Sequence, residues 1–132
     1  MSNYIKMCKK AEEIQKVWKP ALGHWVHLKS VVSNYKTSLI TNEYPPIRYY
    51  RNQSIWLPTQ EQLQEMVLED FSSFTKVGAF YDFLNYYIKK PECERIEFSM
   101  NELWLAFVMK KKYQKIWLKE DWVLCDFHQN WF

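Results

Sequence analysis

The sequence predicts a single α+β domain over residues 1–132, with a small antiparallel sheet of three to four short strands packed with about four helices. Three observations predict it. Residues 3–18 place apolar side chains at helical spacing. Residues 24–56 are rich in β-branched and aromatic side chains without that spacing. Two capping patterns, at Thr59 and Ser99, then open further helices. A chain of 132 residues suits one core better than two.

Within residues 3–18, Met7, Ala11, Ile14 and Trp18 follow one another at steps of four, three and four, which is one face of a helix. Charged side chains, among them Lys9, Glu12 and Lys16, surround that face. Pro20 and Gly23 end the segment, because proline disfavours helical geometry in the residue before it.

Residues 25–32 and 37–41 then read as strands, with Ser33 and Asn34 as the turn between them. Pro45 and Pro46 stop the second run, since neither can donate to a sheet ladder. Residues 47–50 and 54–57 read as further short strands on either side of Asn52.

Thr59 followed by Gln62 is a capping box, in which each side chain satisfies a backbone N–H of the first helical turn. Leu63, Met66 and Val67 form the inner side of the short helix it opens. A longer helix begins near Ser73. Phe74, Val77, Tyr81, Leu84 and Ile88 line one stripe of it, and Phe80, Phe83 and Tyr87 line the next, together about half the circumference at roughly 100° per residue. Such a helix is expected to pack between two other elements, with Pro91 ending it. Ser99 and Glu102 make the second capping box, and Phe98 and Leu103 the matching hydrophobic staple. Residues 103–109 are apolar on every side, so this last helix is expected to be the most buried. Leu103, Phe107, Leu84 and Tyr81 are the expected core. Residues 117–132 show no clear period.

The 48% hydrophobic, 18% aromatic and 25% charged content describes a globular chain with material for a sizeable core. Only two glycines occur, Gly23 and Gly78, so phosphate-cradling loops and the nucleophile elbow are excluded. Eighteen Lys and Arg against fifteen Asp and Glu leave a formal charge of +3, a small excess for a protein that wraps nucleic acid. Three widely spaced cysteines, the absence of a signal-type apolar segment and a longest apolar run of residues 103–109 predict a cytoplasmic protein with no membrane span.

Residues 55–66 (IWLPTQEQLQEM) and 102–113 (ELWLAFVMKKKY), with the opening residues 4–15, resemble a family of small uncharacterised proteins from phages and prophages of Gram-positive bacteria. The resemblance implies an origin; it carries no activity. The family motif often has a basic residue where Thr59 stands, so the Thr59 cap is not implied to be general.

The candidate chemistry is sparse. His24-x-x-His27 with Cys125-x-x-His128 has the ligand count of a structural zinc site, yet residues three apart on a strand point to opposite faces. No metal and no cofactor are expected. Lys110, Lys111, Lys112, Lys115 and Lys119 could meet phosphates, but consecutive helical residues fan around the axis, and cations at a helix C-terminus complement its dipole. Neighbouring carboxylates such as Glu12 and Glu13 do not face each other on a helix, and no arrangement supports catalysis. Trp117, Trp122 and Trp131 belong to no core pattern and are expected to be exposed. The expectation is a non-enzymatic accessory protein that binds a host or phage macromolecule, a protein in preference to nucleic acid. Its candidate partner contacts are Trp117, Trp122, Trp131, Lys111, Lys112 and Lys115. The alternative is a nucleic-acid or nucleotide binder using the basic last helix and the tail tryptophans.

Overall fold

A computed structural model describes residues 2–28, 36–41, 49–67, 73–89 and 98–124. The architecture is α+β, and the chain forms two compact units, Met1–Thr59 and Gln60–Phe132.

In the first unit the opening helix is interrupted. α1 spans Asn3–Lys10 and α2 spans Glu12–Val17, with Ala11 between them at φ −81°, ψ 68°. Ser2 caps α1, its hydroxyl accepting from the Ile5 N–H at 3.2 Å. The break preserves the inner face, since Met7, Ala11, Ile14 and Trp18 are all buried. It is satisfied locally. The Ala11 N–H donates to the Met7 and Cys8 carbonyls, and the Gln15 side chain donates to the Cys8 carbonyl at 3.1 Å.

Three antiparallel strands follow: β1 (Trp25–Leu28), β2 (Lys36–Leu39) and β3 (Ser54–Trp56), in the order β2-β1-β3. His27 faces Thr37 on one side and Ile55 on the other. Gly23, at φ +88°, makes the left-handed turn into β1, which favours glycine. Its N–H donates to the Ile40 carbonyl, extending the ladder. Val26 and His27 are consecutive, so they point to opposite faces, and both are buried. The central strand is therefore covered on both sides.

The expected strand over residues 47–50 is corrected. Tyr49–Gln53 forms a helix, α3, while Ile47 and Arg48 lie outside the described residues, as do the expected turn at Ser33 and Asn34 and residues 29–32. Side-chain contacts override the β-propensity of the two tyrosines. The Ser54 hydroxyl donates to the Tyr50 carbonyl at the end of α3, and the Arg51 guanidinium donates to the carbonyls of Trp18 and Lys16 at 2.6 and 2.8 Å.

Gln15 joins helix to sheet. Its amide nitrogen donates to the Trp56 carbonyl and its amide oxygen accepts from the Trp56 N–H, both at 2.9 Å. One side chain thus does for the β3 edge what a neighbouring strand would do. The Tyr4 hydroxyl donates to the Pro58 carbonyl just beyond that strand.

The second unit is built around α6 (Met100–Tyr113), which packs against α4 (Gln60–Met66), α5 (Ser73–Lys89) and β4 (Lys115–Leu118). α4 begins directly after Thr59, where the sequence predicts a cap, and buries Leu63. The Ser99 hydroxyl accepts from the Glu102 N–H at 3.2 Å, so the second predicted cap is present. Of the apolar run 103–109, residues 104–109 are buried and Leu103 is half-buried, and Lys110 beyond it is buried too. Gln114 ends the helix in the left-handed region at φ 53°, its N–H returning to the Lys110 and Met109 carbonyls.

α5 corrects the expected core. Phe80, Phe83 and Tyr87 are buried, Leu84 is half-buried, and Tyr81 and Val77 are 64% and 66% exposed. Leu103 is half-buried and Phe107 fully buried. Among the described residues of the first stripe, Val77 and Tyr81 are not covered, so this helix does not lie between two elements along that pair. Phe80 stacks on Trp104 at 4.0 Å between centroids, and Phe107 meets both rings edge-on at 5.6 Å.

The region without a period holds a hairpin, β4 paired with β5 (Asp121–Leu124), which the sequence reading missed. Lys119 at φ 58° provides the reversal, and the Asp121 carboxylate accepts from the Trp122 N–H at 2.8 Å. The Tyr87 hydroxyl ties α5 to it, donating to the Trp117 carbonyl at 2.8 Å.

Two substitution series test these contacts. Gln15→Ala is expected to lower stability in urea titration by about 1–3 kcal/mol, the cost of leaving buried backbone groups unpaired. Gln15→Glu should also destabilise, because a carboxylate cannot donate to the Trp56 and Cys8 carbonyls. In the second unit, Phe107→Ala should cost about 3–5 kcal/mol, whereas Tyr81→Ala should stay within about 0.5 kcal/mol. Equal losses at both positions would contradict the one-sided burial of α5.

Candidate functional site

The six residues singled out as partner contacts do not form one surface. Trp117 and Trp122 sit opposite each other in the β4–β5 register, their rings in edge contact at 5.1 Å. They are 1% and 7% exposed, which corrects the expectation that they are exposed. The physical reason is the hairpin: strand pairing places both indoles on one face, and that face is turned inward. Trp131 lies outside the described residues.

The lysines fan out as helical geometry requires. Lys110 is buried, Lys111 half-buried and Lys112 exposed, and Lys115 on β4 is half-buried. Lys112 donates from Nζ to the Met66 carbonyl at 3.1 Å, capping the last residue of α4 with a cation. Lys110, Lys111 and Lys112 also occupy the last turn of α6. These placements are those of helix-end charges.

Among the exposed large hydrophobic residues described, two share one face of α5. Val77 and Tyr81 are one turn apart, hence on the same face, and both are largely exposed. Gly78 beside them has open space where a Cβ would sit. The buried stripe of Phe80, Phe83 and Tyr87, next to the pair around the helix, packs α5 in place, so the exposed pair is carried on a packed helix. The sequence signal is the over-wide apolar arc, whose pattern by itself predicts core.

The histidines are placed by aromatic packing. The Trp18 indole N–H donates to His24 Nδ1 at 3.0 Å, and His24 stacks against Trp56 at 5.6 Å, with Trp18 and Trp56 themselves stacked at 5.9 Å. The Nδ1 lone pair is therefore engaged. Burial holds His24 below its ordinary range. His27 is lowered too, by burial first and then by the positive charges of the N-terminus and Lys9. Among the described residues no group of three or more His, Cys, Asp or Glu could hold a metal ion, and Cys125 and His128 fall outside them. No helix among the described residues is long and apolar enough to cross a membrane.

Comparison with protein families, with curated proteins and with solved structures yields no match for this chain.

The histidines set a pH dependence. A histidine lowered in the folded state binds fewer protons there than when unfolded, so its contribution to stability is complete above about pH 6.5 and is lost as pH falls through the lowered folded value. Thermal melts are expected to show the melting temperature dropping on acidification below that point. His24→Gln, which removes one titrating ring, should flatten the drop. An acid profile identical to that of the native chain would mean that His24 carries no part of it.

Proposed function

We propose that this chain is a non-enzymatic binding protein that docks a protein partner through the outward face of α5. The observation that supports it is the exposure of Val77 and Tyr81 at one-turn spacing on a helix anchored by the neighbouring stripe of Phe80, Phe83 and Tyr87. A tyrosine supplies large contact area at little conformational cost, and such residues are enriched where interfaces have their energetic centre. The resemblance of residues 4–15, 55–66 and 102–113 to phage and prophage proteins suggests a bacterial cytoplasm as the setting and a host or phage protein as the partner.

Capture from bacterial lysate by the native chain, compared with a Val77→Asp/Tyr81→Asp variant, tests the reading. The expected result is a discrete protein retained by the native chain and released by the variant, with both melting alike. Retention of the same protein by both would remove α5 from the interface. Nucleic acid that co-purifies, is displaced by salt and is lost in a Lys111→Gln/Lys112→Gln/Lys115→Gln variant would transfer the function to the basic end of α6.

A further inference from the structure

The first unit contains an open polar cleft of about 290 Å³, whose lining charges do not cancel. Lys9, Lys16 and Arg51 contribute three cations against the single carboxylate of Glu12. The buried residues Ser54 and Ile55 form part of its lining, and the cations lie on its exposed side. At this size the cleft fits a small molecule or one terminal group of a larger one, since drug-sized ligands fill about 300–1,000 Å³.

Arg51 gives the cleft its character. Both of its hydrogen bonds described above go to carbonyl oxygens, those of Trp18 and Lys16, which fix the guanidinium without neutralising it. A guanidinium carries five N–H donors, so donors remain for a further acceptor beyond these two bonds. Because the group is already held, binding an oxyanion costs little additional side-chain ordering. The same two contacts cover carbonyls at the end of α2 that would otherwise repel an anion. Elsewhere in the lining the Gln15 amide is bonded to Trp56 and Cys8, and the Ser54 hydroxyl to Tyr50, so the fixed polar groups are internally satisfied and the cations supply the recognition.

We propose that this cleft is an anion-binding site for a small ligand bearing a phosphate or carboxylate group, with Arg51 as the anchoring cation and Lys9 and Lys16 as flanking cations. The test is an amide-shift titration of the full chain with inorganic phosphate and, separately, with malonate, at constant ionic strength maintained by chloride. Saturable shifts at residues 9, 16, 51 and 52 are expected with at least one probe, and the better probe identifies the group recognised. Lys9→Gln/Lys16→Gln, two exposed substitutions, should weaken binding about tenfold, the factor that corresponds to loss of one or two charge-assisted contacts. Glu12→Gln should strengthen it by relieving the opposing charge. Shifts that follow ionic strength alone, absence of saturation with both probes, or a double lysine variant that binds as the native chain does would each overturn the proposal.

Discussion

Burying bulky aromatic rings with almost no glycine to accommodate them is the constraint that both units solve. Seven Trp, nine Tyr and eight Phe have to be packed by a chain of 132 residues with two glycines. Large planar side chains fill volume efficiently only where backbone elements hold them in complementary orientations. The second unit does this by laying α6 along the aromatic side of α5, so that Trp104 and Phe80 stack while Phe107 closes the angle between them. The first unit stacks Trp18, His24 and Trp56 and draws the three from a helix end, a turn and a strand.

Packing rings does not by itself satisfy the backbone, and in each unit polar side chains meet that need beside the rings. Gln15 reaches both the N–H and the C=O of Trp56, at the edge of a three-stranded sheet, and so closes the strand that carries one of the stacked rings. Tyr87 belongs to the aromatic cluster through Phe83 and also donates to the Trp117 carbonyl in the first strand of the hairpin. The Tyr87 bond is buried and the Gln15 bonds are part-buried, and in both places an unpaired backbone partner would be costly. The polar contacts set the register of elements that the rings hold together.

What was legible in the sequence follows from this division. The periodic face of Met7, Ala11, Ile14 and Trp18, the cap at Ser99 and the apolar run of α6 are local patterns, and each is present. The break at Ala11 was not legible, because it depends on Gln15 supplying a donor to Cys8. α3 was read as a strand because Tyr49 and Tyr50 favour sheets, while the contacts that hold the helix come from Arg51 to residues more than thirty positions away. The β4–β5 hairpin lacked a glycine or asparagine turn signal, since Lys119 takes the left-handed position instead. Trp117 and Trp122 were consequently placed on the surface. The cleft at Arg51 had no sequence signature at all, because its cations come from α1, α2 and α3.

The wide apolar arc of α5 shows why a hydrophobic pattern alone does not decide between core and interface. Periodicity reports which residues share a face; it does not report whether that face meets the same chain or another one. Phe80, Phe83 and Tyr87 meet α6 and its neighbours, and their burial is sufficient to fix the helix. Val77 and Tyr81 are largely outside that packing, and leaving most of their surface in water forgoes the stabilisation that burial would give. Scattered exposed apolar residues need no explanation, but two at one-turn spacing on a rigid helix form a surface with defined geometry. A helix presenting such a pair can be recognised by a groove without rearranging, which lowers the entropic cost of association. The same rigidity that makes α5 a good wall of the aromatic core therefore makes its other side suitable for binding.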